Sequence, residues 1–361
     1  MLKLVNDAYE TLTPYVPGKP VSETERELGL TGVVKLASNE NPLGPSPKAV
    51  QAMADRLKEM HDYPDGGAYH LKAAIARFHD VPPEQIIVGN GTNEVLELLV
   101  RTILRPGEKV LFADPSFIVY KLATKACGRE LISVPLKDMR FDLPAMAAAV
   151  DDATKLVFIA NPNNPTGTYV TREEFEAFLE AIPEDVLVVM DEAYAEYVNA
   201  EDCPDGFDYL GRRHRYMVTR TFSKCYGLAG LRIGYGIAEP ELIDFLNRGR
   251  QPFNTNALAQ AAAVAALEDQ DHVKAAVELN RREMNRLVPL LEDRGLTVVP
   301  SQANFLLVDF KRDGAELYER FLRAGVILRP MGGYGLPTHM RVTIGTESMN
   351  DAFLNALNKV L

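Results

Sequence analysis

Cysteine is scarce: among 361 residues there are three, Cys127, Cys203 and Cys225. An odd number, widely separated and without metal-ligand spacing, argues against a disulfide framework or a metal cluster, so they read as reduced thiols and no metal is expected. Cys225 adjoins Lys224, and packing is its expected role. No apolar run approaches the ~18 residues of a membrane span, and the opening MLKLVNDAYE lacks the basic region and apolar stretch of a secretory signal. The expected location is the cytoplasm, with no membrane partner. A basic block is missing too. The net charge of −11 is spread along the chain, which disfavours nucleic acid and anionic membrane as partners. What is present, 47% hydrophobic and 25% charged residues, suits a soluble enzyme of two domains or one large domain with an appendage.

Residues 221–236 read TFSKCYGLAGLRIGYG. The β-branched, aromatic RYMVTRTF has strand character and ends at Ser223-Lys224, and Leu231-Arg232-Ile233 opens a further strand-like run. Gly227, Ala229, Gly230, Gly234 and Gly236 allow the backbone to approach a bulky ligand closely. A single lysine is most often a solvated surface charge. Held away from water, its ammonium is destabilised, the amine becomes usable near neutral pH, and it can form a Schiff base with an aldehyde. Arg232 carries a fixed fork of donors that suits a phosphate. An aldehyde and a phosphate together suggest pyridoxal phosphate.

Residues 1–30 contain TPYVPGKP around Tyr15, too rich in proline for regular structure, and read as an extended arm. Ser46-Pro47 opens a helix with Val50, Met53, Leu57 and Met60 on one face. HDYPDGGAYH ends it and holds Tyr63, which from its turn alone reads as a surface aromatic and otherwise as a hydroxyl reaching a phosphate. A second amphipathic helix carries Leu71, Ile75 and Phe78, and a strand from Ile86 to Val88 then enters Gly89-Asn90-Gly91-Thr92-Asn93, where a further helix with Val95, Leu96, Leu99 and Ile103 begins. Strand, glycine turn and helix bring bare N–H groups and the positive end of a helix dipole together, a site for a mononucleotide or simple phosphate. The strands KVLFADP, KLVFIANP and VLVVMDEAY then alternate with a helix near Phe117 to Cys127 and one opened by a Thr171–Glu174 capping box. This alternation predicts an α/β fold with a mostly parallel sheet covered by helices on both faces, and ligands at the carboxyl ends of its strands. Beyond Leu242 a helical stretch from about Asn256 to Arg294, interrupted near Asp269 to His272, leads to strands NFLLVDF, GVILRP and MRVTIGT, an α+β unit. The expected division is an arm over 1–30, a large cofactor-binding domain over 31–245 and a small domain over 246–361.

Asp191 ends a strand of apolar residues, so its carboxylate is buried and needs a partner. It can be an N-cap, but a pairing with a protonated pyridine nitrogen, which keeps the ring an electron sink, explains the burial better. NPNNPTG can be an ordinary turn. Asn164 in it nevertheless offers a donor amide at a strand's end, and Tyr194 a phenol from the next strand. Both can bond the ring's phenolate oxygen, which lowers the proton affinity of the imine at Lys224.

NPNNPTG, DEAY and SKxxGLAGLRIGY, in this order and spacing, resemble the fold type I pyridoxal-phosphate aminotransferases. The PYVPGKP arm, SNENPLG, YPDG, GNGTNE, GVILRP and MRVTIGT extend the resemblance, across almost the whole chain, to the histidinol-phosphate aminotransferase family. The resemblance implies that Lys224 holds the cofactor and shuttles the proton, that Asp191 pairs with the pyridine nitrogen, and that Asn164 and Tyr194 bind its ring oxygen. Phe117 would stack on the ring, where many relatives have tyrosine. The phosphate would lie among Gly91, Thr92, Asn93, Thr221, Ser223 and Arg232, with Tyr63 reaching in from the second subunit of an obligatory homodimer. Arg341 would hold the carboxylate of glutamate or 2-oxoglutarate, Arg329 would help with the second anion, and Tyr15 and Asn39 would close over the substrate. The implied reaction, in histidine biosynthesis, converts imidazole acetol phosphate and glutamate to histidinol phosphate and 2-oxoglutarate, or the reverse. The alternatives on the same framework are an aromatic amino acid aminotransferase and a phospho-amino-acid decarboxylase; a catalytically silent cofactor-binding module is the alternative of another class.

Overall fold

A computed structural model describes residues 4, 7–10, 12–14 and 17–361. Tyr15 lies outside the described residues. In chain order the first elements are α1 (Val21–Leu28), β1 (Val34–Lys35), α2 (Pro47–Arg56), α3 (Tyr69–His79), β2 (Ile86–Gly89), α4 (Thr92–Ile103), β3 (Lys109–Asp114), α5 (Ile118–Ala126) and β4 (Glu130–Pro135). They are followed by α6 (Leu143–Ala148), β5 (Thr154–Ala160), α7 (Arg172–Ala181), β6 (Leu187–Asp191), β7 (Tyr216–Thr221) and β8 (Gly234–Ala238). The remainder comprises α8 (Pro240–Gly249), α9 (Ala257–Leu267), α10 (Gln270–Glu292), β9 (Thr297–Val299), β10 (Phe305–Asp309), α11 (Gly314–Arg323), β11 (Val326–Ile327), β12 (Arg329–Pro330), β13 (His339–Thr343) and α12 (Glu347–Val360).

A seven-stranded sheet runs in the order β2-β8-β7-β6-β5-β3-β4. Its pairs from β7 through β4 are parallel, while β8 runs against both of its neighbours, so the sheet is mostly parallel as expected. The physical reason for the reversal is the connection. A parallel pair needs a long crossover, whereas β7 and β8 are joined directly through Phe222–Ile233, which carries the lysine. β6 is buried at every residue and β5 at all but one, which is why these strands read as continuous apolar runs rather than as alternating ones.

A four-stranded antiparallel sheet, β12-β13-β10-β9, packs with α10, α11 and α12 around Leu306, Val308, Phe321, Val342 and Phe353. Packing crosses the expected boundary at 245/246 in both directions. β1 pairs with β11 in parallel, and Leu36 is buried in the core of the C-terminal unit. In turn α9 lies against α2 and α3, with Ala259, Ala262 and Ala263 in the same core as Ala49 and Leu71.

The capping box forms, with Thr171 Oγ1 accepting from the Glu174 amide at 3.2 Å and Glu174 accepting from the Thr171 amide at 2.7 Å. The long helical stretch breaks at Glu268–Asp269. Four local expectations are corrected. The arm contains α1, which starts after Pro20 and ends on Gly29 at φ 64°, because proline sets a first turn and glycine a left-handed stop. The helix opened by Ser46-Pro47 ends at Arg56, short of Leu57 and Met60, and Val50, Leu57 and Met60 are exposed. Arg232 adopts φ 56° ahead of β8 rather than lying in a strand. Finally, β4 and α6 are present where no element was expected; ELISVP is an edge strand with exposed residues and carries no apolar run.

Candidate active site

The carboxyl ends of β5, β6 and β7 meet the start of α4 and the strand β13 around one cavity of about 400 Å³. Lys224 enters it from the β7–β8 connection, and Asn164 and Asp191 from the ends of β5 and β6. Lys224 Nζ donates to the Ser38 carbonyl at 3.2 Å and lies 5.8 Å from the centre of the Tyr194 ring. Burial, followed by the positive charges of Arg341 and Arg232, lowers its pKa to about 7 against the opposing pull of Glu40. An amine with that proton affinity exists in both forms near neutrality, which a nucleophile and proton carrier requires.

Asp191 is buried, and burial raises its pKa. Its Oδ2 accepts from Tyr120 Oη at 2.7 Å and its Oδ1 from Thr219 Oγ1 at 2.9 Å. Both donors are neutral, so a buried carboxylate at the cavity wall meets hydroxyls and no cation in these bonds. A protonated ring nitrogen would supply the missing charge. Tyr194 Oη accepts from Asn39 Nδ2 at 2.9 Å, which leaves its own proton to be donated elsewhere, and burial pushes its pKa to about 12. Asn164 Oδ1 accepts from Arg341 Nη1 at 2.5 Å, which reserves the Asn164 amide NH₂ as a donor.

At the opposite end, Thr92 and Asn93 open α4 with no side chain capping it, and Thr221, Ser223 and Arg232 stand on the other wall. Gly91 has φ 75°, and a Cβ there would lie 2.5 Å from Arg232 Nη2. Only glycine allows the guanidinium so close to the turn. Bare amides, hydroxyls and a guanidinium at the positive end of a helix form a cradle for a phosphate. The amine, the carboxylate without a cation and this cradle fit pyridoxal phosphate.

Phe117 lines the same cavity as the residue before α5. Arg341 is buried; its Nη2 donates to the Ala37 carbonyl at 2.9 Å and its guanidinium carbon lies 5.3 Å from the Phe305 ring. Arg329 is its direct cross-strand partner in the β12–β13 register, so the two side chains share one face. Arg329 lines a neighbouring cleft of about 420 Å³ that shares Ile118, Leu122 and Tyr334 with the main cavity. Asn39 is buried, with its amide bonded to Thr343 Oγ1 at 2.9 Å as well as its side chain to Tyr194. Tyr63 is not in the cavity of its own chain. It is 80% exposed and stacked on Phe253, ring centres 4.6 Å apart.

The sequence reading missed Tyr120, Thr219 and Ser38, while Tyr334 brings the GGYGLP loop, Met331 to Pro337, to the cavity wall. A tyrosine three residues after Phe117 in an amphipathic helix signals burial, and a buried phenol needs an acceptor, but which carboxylate meets it depends on the sheet. Asn41 Nδ2 donates to the Cys225 carbonyl at 2.7 Å, beside the lysine.

The family model of aminotransferase class I and II matches residues 31–357. A histidinol-phosphate aminotransferase of Pseudomonas fluorescens is 50% identical over 362 residues, covering 100% of this chain and 98% of that protein. Among solved structures, histidinol-phosphate aminotransferase from Sinorhizobium meliloti in complex with pyridoxal-5'-phosphate is similar at a TM-score of 0.91 and 30% identity, covering 99% of this chain and 97% of that one. L-threonine-O-3-phosphate decarboxylase from Porphyromonas gingivalis is similar at a TM-score of 0.81 and 25% identity, covering 91% and 99%.

Proposed function

Because this chain belongs to the class I and II aminotransferases, we propose that it moves an amino group between histidinol phosphate and 2-oxoglutarate, giving imidazole acetol phosphate and glutamate, or the reverse, with pyridoxal phosphate as cofactor. The observation that carries this reading is the single cavity in which a lysine with pKa about 7, a buried carboxylate and an arginine beside a bare helix start converge. Bound there, pyridoxal phosphate supplies an aldehyde for the substrate amine and a ring that accepts the electrons left when a proton departs.

The residues divide the remaining work. Gly91, Thr92, Asn93, Thr221, Ser223 and Arg232 hold the phosphate. Asp191 would keep the ring nitrogen protonated, the Asn164 amide and the Tyr194 hydroxyl would donate to the ring oxygen, and Phe117 would cover the ring. With the cofactor bound, Lys224 Nζ would be the group that takes up and gives back the proton of the substrate's amine-bearing carbon. Arg341 grips the substrate's carboxylate with a fork already oriented by Asn164 and the Ala37 carbonyl, and Arg329 assists with the second anion. Two arginines directly opposite on neighbouring strands repel, and an anion relieves that repulsion. Asn39 orients Tyr194.

A homodimer belongs to the same proposal, with Tyr63 serving the partner's phosphate cradle. Its support is the exposed stack of Tyr63 on Phe253, aromatic surface costly to leave in water. A reducing cytoplasm suits three cysteines that form no disulfide. Among the described residues no helix is long and apolar enough to cross a membrane.

The test is the absorbance of the purified protein on adding histidinol phosphate. A yellow band that bleaches, and returns with 2-oxoglutarate, is expected. Phenylalanine processed with the higher kcat/KM would overturn the substrate assignment. Release of carbon dioxide from a phosphorylated amino acid would favour the decarboxylase reading, which the Porphyromonas gingivalis neighbour motivates.

A further inference from the structure

Tyr120 stands at the junction of two parts of the site without lining the cavity. It is buried in the first turn of α5, stacked on Phe158 of β5 with centres 4.6 Å and planes 8° apart, and set edge-on to Phe117 at 5.7 Å and 88°. Its hydroxyl donates to Asp191 Oδ2 at 2.7 Å, while Thr219 Oγ1 donates to Oδ1 at 2.9 Å. We propose that Tyr120 is a positioning residue for the cofactor ring: its hydroxyl orients and keeps ionised the carboxylate that meets the ring nitrogen, and its edge supports the phenylalanine lying against the ring face. The inference rests on pyridoxal phosphate occupying this cavity.

The physical argument is that of a buried anion. A carboxylate without water is held charged by the donors that reach it, and here those donors are two hydroxyls. Removing one leaves an oxygen unpartnered, raises the group's affinity for a proton and loosens its orientation. A carboxyl that has taken up a proton no longer favours a protonated ring nitrogen. Substrate grip at Arg341 runs through Asn164 and the Ala37 carbonyl and does not involve Tyr120.

Tyr120→Phe keeps the ring and its packing and deletes the hydroxyl. The expected result is a dissociation constant for pyridoxal phosphate, measured by equilibrium dialysis, raised about tenfold. The pH at which the bound cofactor's absorbance changes should move by about one unit. In the assay kcat should fall about tenfold while KM for glutamate stays within about a factor of two. Thr219→Val, which removes the second donor, should act in the same direction and carries the test should Tyr120→Phe not fold. Phe158→Leu disturbs the stack but not the hydroxyl; it should lower Tm and leave the pH of the absorbance change in place. An unshifted pH profile and unchanged cofactor affinity in Tyr120→Phe, or in Thr219→Val, would make the contact mere packing and sink the inference. A wild-type protein that takes up no pyridoxal phosphate would instead sink the cofactor assignment, a different result.

Discussion

Lys224 is charged at neutral pH in the unfolded chain and held near half-protonation in the fold, with pKa lowered from 10.5 to about 7 by burial and by Arg341 and Arg232. The sign of the linkage follows. Below pH about 7 the group is charged in both states and the fold bears the full cost of burying it; between about 7 and 10.5 unfolding takes up a proton, so stability rises with pH; above 10.5 the cost is gone. Cofactor-free Lys224→Met should therefore melt above cofactor-free wild type, with the difference widest below pH 7 and closing toward pH 10.5. Melting curves across that range check it, and a difference that widens as pH rises would contradict it. At this scale much of the site was legible. A lysine at a strand end with small neighbours, an aspartate closing an apolar strand and an asparagine in a proline turn each carry chemistry in their type. Tyr120 and Thr219 were not legible, because a hydroxyl declares a need for a partner without saying which partner it finds.

The elements that carry the site are held by backbone geometry as much as by packing. The turn before α4 works because Gly91 at φ 75° brings Arg232 against an uncapped helix start. Gly91→Ala should cost about 1–3 kcal/mol of stability, because φ 75° with ψ 163° is a backbone region essentially reserved for glycine, and displace a flexible guanidinium rather than break the core. The larger effect should fall on the phosphate, with pyridoxal phosphate affinity down about tenfold, since a charged contact is worth about 1.5–3 kcal/mol. Dialysis and a melting curve on the same preparation separate the two terms, and unchanged affinity would remove Arg232 from the cradle. The elements read best from sequence were those with a strong period or a closed cap: the Thr171 capping box formed and the helix broke at Glu268–Asp269. Those missed were short or at an edge. β4 borders solvent and alternates weakly, and α1 has eight residues behind a run of prolines.

For the whole molecule, the start of the chain packs with its end, with β1 paired to β11, α9 laid on α2 and α3, and the Asn39 amide bonded to Thr343. The exposed Tyr63–Phe253 stack gives the dimer a direct test. Lys224→Ala and Tyr63→Ala should each lose most activity alone. Mixed after unfolding and refolding together, they should regain about a quarter of wild-type activity, because half of random dimers are mixed and each of those holds one intact site. No recovery would place Tyr63 outside the partner's site. The sequence by itself determined the cofactor chemistry and the alternating architecture, because residue type and strand or helix period are local properties of the chain. Only the tertiary structure decided that β8 reverses, that Tyr120 and Thr219 meet Asp191, that Arg329 faces Arg341, and that the start of the chain packs with its end. Those are pairings between residues from 12 to 292 positions apart, settled by which surfaces can be buried together rather than by any residue's own preference.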